Sequence, residues 1–187
     1  MSCVIRTDTM GWTAEPRYPR VSVRADGKRT AVVEKVSDGS VTKTTNIDWV
    51  YDSLGRLVQE DYNADGTDLD FKADYLSDLV GNRLKKTVDQ GRDSSVDEVF
   101  TYGFDANDRL LSETLDHQAD NTKDRFAVYG YTGTQQRSKN VHGGLNATGP
   151  TVEQADYAFN LQGRMSSAEV REYDPTGQTL ESHTKST

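Results

Sequence analysis

A short pattern of residues recurs along the chain at a nearly constant interval, and this interval constrains the fold more than any other feature. In its clearest form the pattern is Trp49-Val50-Tyr51-Asp52-Ser53-Leu54-Gly55-Arg56-Leu57. The residue equivalent to Tyr51 in successive copies is Val23, Tyr51, Ser77, Phe104, Tyr131, Phe159 and Tyr173. These positions are separated by 28, 26, 27, 27, 28 and 14 residues, so the sequence is a tandem repeat of about 27 residues. The final step breaks the period, which makes the last copy a half-unit or the start of another unit.

Each copy predicts a β-hairpin. Side chains alternate along a strand, so two aromatic residues separated by one position lie on the same face. An Asp followed three residues later by Gly is typical of a turn, because the carboxylate caps its own backbone and Gly accepts a positive φ. The Arg-Leu pair then begins the return strand. Turns at the other end of the hairpins are predicted at residues 63–66, 89–91 and 142–144, so each period holds two strands and two turns of a β-meander.

The composition predicts an array of mutually supporting units. Only 34% of the residues are hydrophobic, but nine Tyr, five Phe and two Trp concentrate the apolar area in large rings. This composition suits a thin sheet covered on one face better than a thick globule. A single hairpin of this size buries too little apolar area to fold alone, so neighbouring units must stack their rings and pair their strands.

Charge and cysteine content exclude several classes of protein. The net charge of −8 disfavours binding to phosphate backbones and anionic lipid, so neither nucleic acid nor membrane insertion is expected. With Cys3 as the one cysteine, no intramolecular disulfide can form. Residues 1–20 lack an apolar core, so no signal peptide is predicted in this chain, and the compartment stays open.

One segment is a candidate for calcium binding. Asp61, Asn63 and Asp65, followed by Gly66, match the first half of a calcium loop, in which alternate positions supply oxygen ligands. The twelfth position is Lys72, where such loops carry a bidentate Glu. The alternative interpretation is an Asx-rich hairpin turn, and no other metal or cofactor is expected.

The remaining polar residues predict structure rather than catalysis. The three histidines are far apart in sequence, and no serine lies in a nucleophile motif, so no catalytic residue is predicted. The recurring aspartates are interpreted as turn caps. The recurring arginines are predicted to pair with these carboxylates in a ladder that holds the strands in register, and they are Arg56, Arg83, Arg109, Arg137 and Arg164.

The copies resemble the YD repeats of bacterial Rhs and toxin-complex shell proteins and of animal teneurins. The resemblance rests on Trp49 to Leu57 and on the Asp-x-x-Gly-Asn-Arg form at Asp78 to Arg83, and it spans about residues 21 to 180. It implies an all-β, open-ended ribbon of antiparallel hairpins that forms an arc of a β-spiral shell, in a secreted or cell-surface protein. The shell core that cleaves itself in the toxins is matched only in part by Glu172 to Thr179, so self-processing is not carried over.

The predicted organisation is a poorly structured extension at 1–20, tandem repeats at 21–180 and a tail at 181–187. The predicted function is that of a structural or encapsulating segment without catalysis, whose partners are other YD repeats or further copies of the chain joined edge to edge. An adhesive module that binds carbohydrate or a cell-surface ligand is the first alternative, because rows of rings offer stacking platforms for sugars. A remnant of a self-processing aspartic protease is a remote one.

Overall fold

The fold is an open antiparallel β-sheet. The computed structural model describes residues 19–37, 41–64, 70–144 and 146–187, and these contain no helix. Within these described residues, thirteen strands follow one another in chain order, each next to its predecessor. They are β1 (Arg20–Val23), β2 (Arg29–Ser37), β3 (Thr42–Tyr51), β4 (Leu57–Asn63), β5 (Phe71–Ser77), β6 (Arg83–Gln90), β7 (Glu98–Phe104), β8 (Leu110–His117), β9 (Arg125–Thr132), β10 (Gln135–Gly143), β11 (Thr151–Phe159), β12 (Met165–Tyr173) and β13 (Leu180–Ser186).

The all-β repeat fold predicted from the sequence is therefore confirmed. Each predicted repeat except the last contributes a forward strand that ends at or next to the position equivalent to Tyr51 and a return strand that begins after the turn. The chain divides into two compact units, the first comprising Met1–Leu76 with Thr87–Val96 and the second comprising Ser77–Lys86 with Asp97–Thr187.

In the first unit, the ring-bearing face is built from β3, β4 and β5. Trp49 lies opposite Glu60 on β4, and Glu60 lies opposite Ala73 on β5. Tyr62 and Phe71 stack with their ring centroids 5.5 Å apart and their planes within 3°. The hydrophobic residues buried in this unit are small, namely Ala64, Ala73 and Val88.

The second unit repeats the same arrangement along β7 to β12. The buried hydrophobic residues are Ala127, Val141 and Ala155, each about 1% exposed. The paired rings of β7, β9 and β11 flank these residues and are half-buried. A single layer of strands cannot enclose a ring on both sides, which explains why small side chains rather than rings are the most buried residues.

A β-bulge recurs beside the turn in each of the five repeats whose internal strand register is defined. For example, Gly103 pairs with Ser112 and Phe104 pairs with Leu110, so the return strand carries one extra residue between them. In the β9–β10 hairpin the extra residue is Arg137, because Gln136 pairs with Tyr131 and Ser138 with Gly130. Bulges twist the strands locally and re-aim the side chains next to them.

The ends of the repeat region differ from the predicted division. β1 begins at Arg20, whereas residues 1–18 of the predicted extension lie outside the described residues. The segment predicted as a tail forms β13, which pairs with β12 from Ala168↔Ser186 to Tyr173↔Leu180. The last copy of the pattern, at Tyr173, follows a return strand, so its turn lies at the opposite ends of the strands from the other turns. Its shorter step is half of the usual period and therefore corresponds to one strand.

Candidate inter-repeat interface

In the turns after β3, β5, β7 and β11, one side chain holds the backbone. Asp105 follows β7, and its Oδ1 accepts hydrogen bonds from the backbone N of Asn107 at 2.8 Å and of Arg109 at 3.0 Å. Its Oδ2 accepts a bond from Arg109 Nε at 2.6 Å. These bonds, led by the one from the Arg109 side chain, lower the pKa of Asp105 below its ordinary value. The carboxylate thus caps the backbone and anchors the arginine that begins the return strand.

The same device recurs in the turns after β3 and β11 with small changes. Asp52 accepts from Leu54 N, Arg56 N and Arg56 Nε, and its pKa is also lowered, chiefly by the bond from Arg56 N. Asn160 accepts from Gln162 N and Arg164 N at 3.0 Å each, so an amide oxygen serves the backbone as well as a carboxylate does.

The arginine of one turn contacts the next repeat. The Arg109 guanidinium lies 5.0 Å from the centroid of the Tyr131 ring, and its Nη1 donates to the Gly133 carbonyl. The Tyr131 hydroxyl donates in return to the Leu110 carbonyl at 2.9 Å. Both contacts join the turn after β7 to the turn after β9, one repeat later in the sequence.

Arg137 makes the equivalent contact one repeat further on. Its guanidinium lies 5.0 Å from the centroid of the Phe159 ring on β11. Arg137 is the bulged residue of its hairpin, and it follows its aromatic position by six residues rather than five. The shorter turn at Gly133 and the bulge together leave the guanidinium over the next ring.

The first unit has the same kind of contact with lysine. Lys28 Nζ lies 5.6 Å from the centroid of the Tyr51 ring and donates to the Gly55 carbonyl at 2.5 Å. The Arg24 guanidinium lies 5.8 Å from the same ring. Near the turns that the structure describes, a cation from one repeat therefore lies over a ring of the next in three pairs of consecutive repeats, because cation–π attraction tolerates either basic side chain.

These side chains bridge a place where the backbone ladder has ended. Within a repeat, β9 and β10 pair from Thr132↔Gln135 to Arg125↔Gly143. Between repeats, β8 and β9 pair only from Val128↔Ser112 to Arg125↔Leu115. Leu110 and Tyr131 lie beyond the turn-side end of this shorter ladder. Consecutive hairpins are thus joined by backbone bonds at one end and by rings, cations and carbonyls at the other.

The predicted ladder of arginines and carboxylates takes a different form from the expected one. Arg56 and Arg109 pair with Asp52 and Asp105 of their own turns, at 2.7 Å and 2.6 Å. Arg109 and Arg137 instead contact the next repeat through a ring and, in the case of Arg109, a carbonyl oxygen. The sequence showed that aspartate and arginine recur together, but a spacing of four residues does not reveal which partner each end of the guanidinium finds.

The calcium candidate is described only in part. Asp61 lies in β4 and forms an ion pair with Arg92, with 2.7 Å between Asp61 Oδ1 and Arg92 Nε and 3.1 Å between Oδ2 and Nη2. Asn63 ends β4, whereas Asp65 lies outside the described residues. A guanidinium already neutralises the carboxylate of Asp61, and within the described residues no group of three or more His, Cys, Asp or Glu is arranged to hold a metal. Calcium binding stays a prediction.

Each of the three histidines makes its own local contact. His117 is 3.3 Å from Glu98, His142 Nδ1 is 3.1 Å from the Gly149 carbonyl, and His183 Nε2 is 2.9 Å from Glu169. The recurring aspartates each occupy a separate turn. Asp174 illustrates this, since bonds led by that from the Thr176 hydroxyl lower its pKa to about 2.

Comparison with known proteins leaves the family open. Neither the family models nor the curated proteins yield a match to this sequence. Among solved structures, the chain is similar to a porin-like protein from Bacteroides uniformis ATCC 8492, with 11% identity and a TM-score of 0.39 over 89% of this chain and 87% of that one. The described part of the chain contains no helix that is long and apolar enough to span a bilayer.

Proposed function

We propose that this chain is a structural segment of a YD-repeat protein and has no catalytic activity of its own. The observation that carries the proposal is the contact of a turn's cation with the next repeat, as Arg109 makes with Tyr131 and Gly133. A segment built this way stabilises its neighbours and is stabilised by them. By the resemblance to Rhs-type proteins, such a segment forms part of a wall that encloses or scaffolds other parts of a secreted or cell-surface protein.

The strands at the two edges of the described sheet support other repeats as partners. All four residues of β1 are exposed, and so are six of the seven residues of β13. Edge strands offer unpaired backbone groups to a further strand. β13 carries Glu181, His183 and Lys185, and charges of this kind limit indiscriminate association, so pairing is expected to require a matching repeat.

The alternative of a carbohydrate-binding module is less well supported. Stacking of a sugar needs an open ring face, and Arg109 and Arg137 lie over the rings of Tyr131 and Phe159. The rings of the forward strands are half-buried rather than displayed. A sugar at these two rings would have to displace a guanidinium.

The proposal is tested by lengthening the array. A variant in which residues 87–139 are duplicated in place adds two repeats, because Lys86 and Lys139 occupy equivalent positions. If neighbours support one another, urea unfolding remains a single transition, and its m-value rises in proportion to the surface that the inserted segment adds. The control variant carries the inserted segment in scrambled order at the same junction, and its m-value should not rise. Two separate transitions in the duplicated chain would contradict the proposal.

A further inference from the structure

Two rows of charged residues on the ring-bearing face alternate in sign from one repeat to the next. On the return strands the row is Glu60, Lys86, Glu113 and Lys139. On the forward strands the row is Glu98, Arg125 and Glu153. Successive members of each row lie one repeat apart in sequence. Each return-strand charge from Lys86 onward is thus followed by a forward strand of opposite charge.

The strand register in the second unit explains how the two rows meet. Glu113 lies between Tyr102 on β7 and Ala127 on β9. Lys139 lies between Tyr129 on β9 and Ala155 on β11. Because the next forward strand carries only a methyl group at this level, a long charged side chain has room to extend across it. It then reaches the forward-strand charge two residues before the alanine.

The charges form one chain of contacts across the four strands from β8 to β11. Lys139 Nζ lies 2.7 Å from Glu153 Oε1. The Arg125 guanidinium lies between two carboxylates, 4.0 Å from Glu153 and 4.0 Å from Glu113. These side chains are between 23% and 40% exposed, so water screens them only in part. Tyr129 lies within this group, and burial followed by the charge of Glu113 raises its pKa to about 12.

The same position contacts rings elsewhere. In the first unit, Glu60 accepts hydrogen bonds from Trp49 Nε1 at 3.0 Å and from the Tyr75 hydroxyl at 3.2 Å. In the second, Lys86 Nζ lies 5.2 Å from the centroid of the Phe100 ring. The position therefore faces the next repeat in each of these cases, whichever charge it carries.

We propose that the antiphase charges are a neighbour code: where a return strand and the next forward strand both carry a facing charge, opposite charges stabilise the pairing of the two hairpins and like charges destabilise it. The chemically matched partner of a lysine-bearing return strand is a forward strand with a carboxylate two residues before its alanine, and the reverse holds for glutamate. Repeats would therefore be gained or lost in pairs. At the end of the row Ala168 faces Ser186, and both are neutral, so the code does not extend to β13. The inference holds whether or not the chain serves as a wall.

Two deletions of one repeat test this code with a difference of one residue. Removing residues 114–139 leaves Glu113 between Ser112 and Asn140, whereas removing 113–138 leaves Lys139 there. The two chains are equal in length, and in both the junction residue faces Glu153. At low salt we expect the lysine chain to melt at least about 4 °C above the glutamate chain. A third chain with Gln at the junction should have a melting temperature between those two. In about 1 M NaCl the difference should fall by more than half, because the screening length shortens to about 3 Å.

Equal melting temperatures in the two deletion chains, or a difference that salt leaves unchanged, would overturn the code. Full-length variants keep the test decisive where a deletion chain does not fold. Lys139→Glu and Glu153→Lys should each raise the unfolding constant, and the double variant should unfold at least about threefold less readily than the two single effects predict. Additive effects in the full-length chain would equally overturn it.

Discussion

The two ends of the hairpins in the second unit reverse the chain in different ways. At the turn after β7, one residue, Asp105, bonds the backbone and the arginine that follows. In the loop of residues 118–124, three different carboxylates accept hydrogen bonds from the backbone. Asn121 N donates to Asp116, Thr122 N to Asp120 and His117 N to Asp124. This loop also places three residues other than glycine at positive φ, namely Gln118, Ala119 and Asn121. A turn that depends on one side chain can recur in the same form from repeat to repeat. This explains why the period is recognised in the sequence at only one end of the hairpins.

The largest effect is expected where a loop between repeats has no room for a side chain. A Cβ at Gly149 would collide with the carbonyl oxygen of Gly143, and the Gly143 N–H bond to Pro150 O closes the same loop. Gly149→Ala should cost about 3 kcal/mol, because backbone must move. Gly133→Ala, in a turn within a repeat with open space around it, should cost about 1 kcal/mol from its positive φ alone. Urea unfolding measures the free energy of unfolding of both variants. If both lose the same amount, the loops between repeats and the turns within repeats do not differ in this way.

A second pair of glycines measures the contact between repeats. Gly27 and Gly55 both have positive φ, but a Cβ at Gly55 would displace Lys28 Nζ, whereas one at Gly27 meets nothing. Gly27→Ala should cost about 1 kcal/mol. Gly55→Ala should cost about 2 kcal/mol, since the bond from Lys28 to the Gly55 carbonyl is lost as well. If the two variants unfold alike, Lys28 does not stabilise the neighbouring repeat.

The dependence of a turn on one side chain gives an ordering of variants. Asp105→Ala removes the bonds to Asn107 N, Arg109 N and Arg109 Nε together. Asp105→Asn keeps an oxygen for the backbone, as Asn160 does naturally. The alanine variant should therefore melt below the asparagine variant, and the asparagine variant below the parent. An alanine variant as stable as the asparagine variant would show that the Asx bonds contribute nothing.

Acid should weaken the turns gradually. The pKa values of Asp52, Asp105 and Asp174 are lowered in the folded chain, the last to about 2. A carboxylate with a lowered folded pKa stabilises the fold above its unfolded pKa of about 4, and this contribution disappears as the pH falls through the folded value. Stability should decline between about pH 4 and pH 2, and less steeply in Asp105→Asn. If stability falls equally steeply in Asp105→Asn, protonation of Asp105 does not contribute to acid unfolding.

The sequence predicted the hairpins well because a turn signal is local. Asp, Gly and Arg lie within five residues of each other, and their chemistry specifies the reversal without reference to other strands. Asp108 shows the limit of the signal, since it adopts a positive φ of 60° in the place where most turns have glycine, and its Oδ1 accepts a bond from Asn82 of the preceding turn. That role depends on a neighbour one repeat away.

What the sequence did not reveal depends on register. The sequence predicts a tail at residues 181–187, yet β13 covers most of this segment and pairs with β12 over six positions. The two rows of charged residues that include Glu113 and Arg125 are visible in the sequence as charges that alternate in sign from one repeat to the next. Bulges vary the spacing within each row, however, and only the register shows that the two rows lie on one face and in contact. The partners of Arg109 beyond its own turn were hidden for the same reason.

The central claim, that side chains couple consecutive hairpins where the backbone ladder ends, is tested most directly by a double-mutant cycle on Arg109 and Tyr131. Arg109→Gln, Tyr131→Leu and the double variant are compared by urea unfolding, with Arg109 and Phe159, two repeats apart in sequence, as the control pair. We expect a coupling of about 1 kcal/mol for the first pair and additive effects for the second. Additive effects at Arg109 and Tyr131 would contradict the claim.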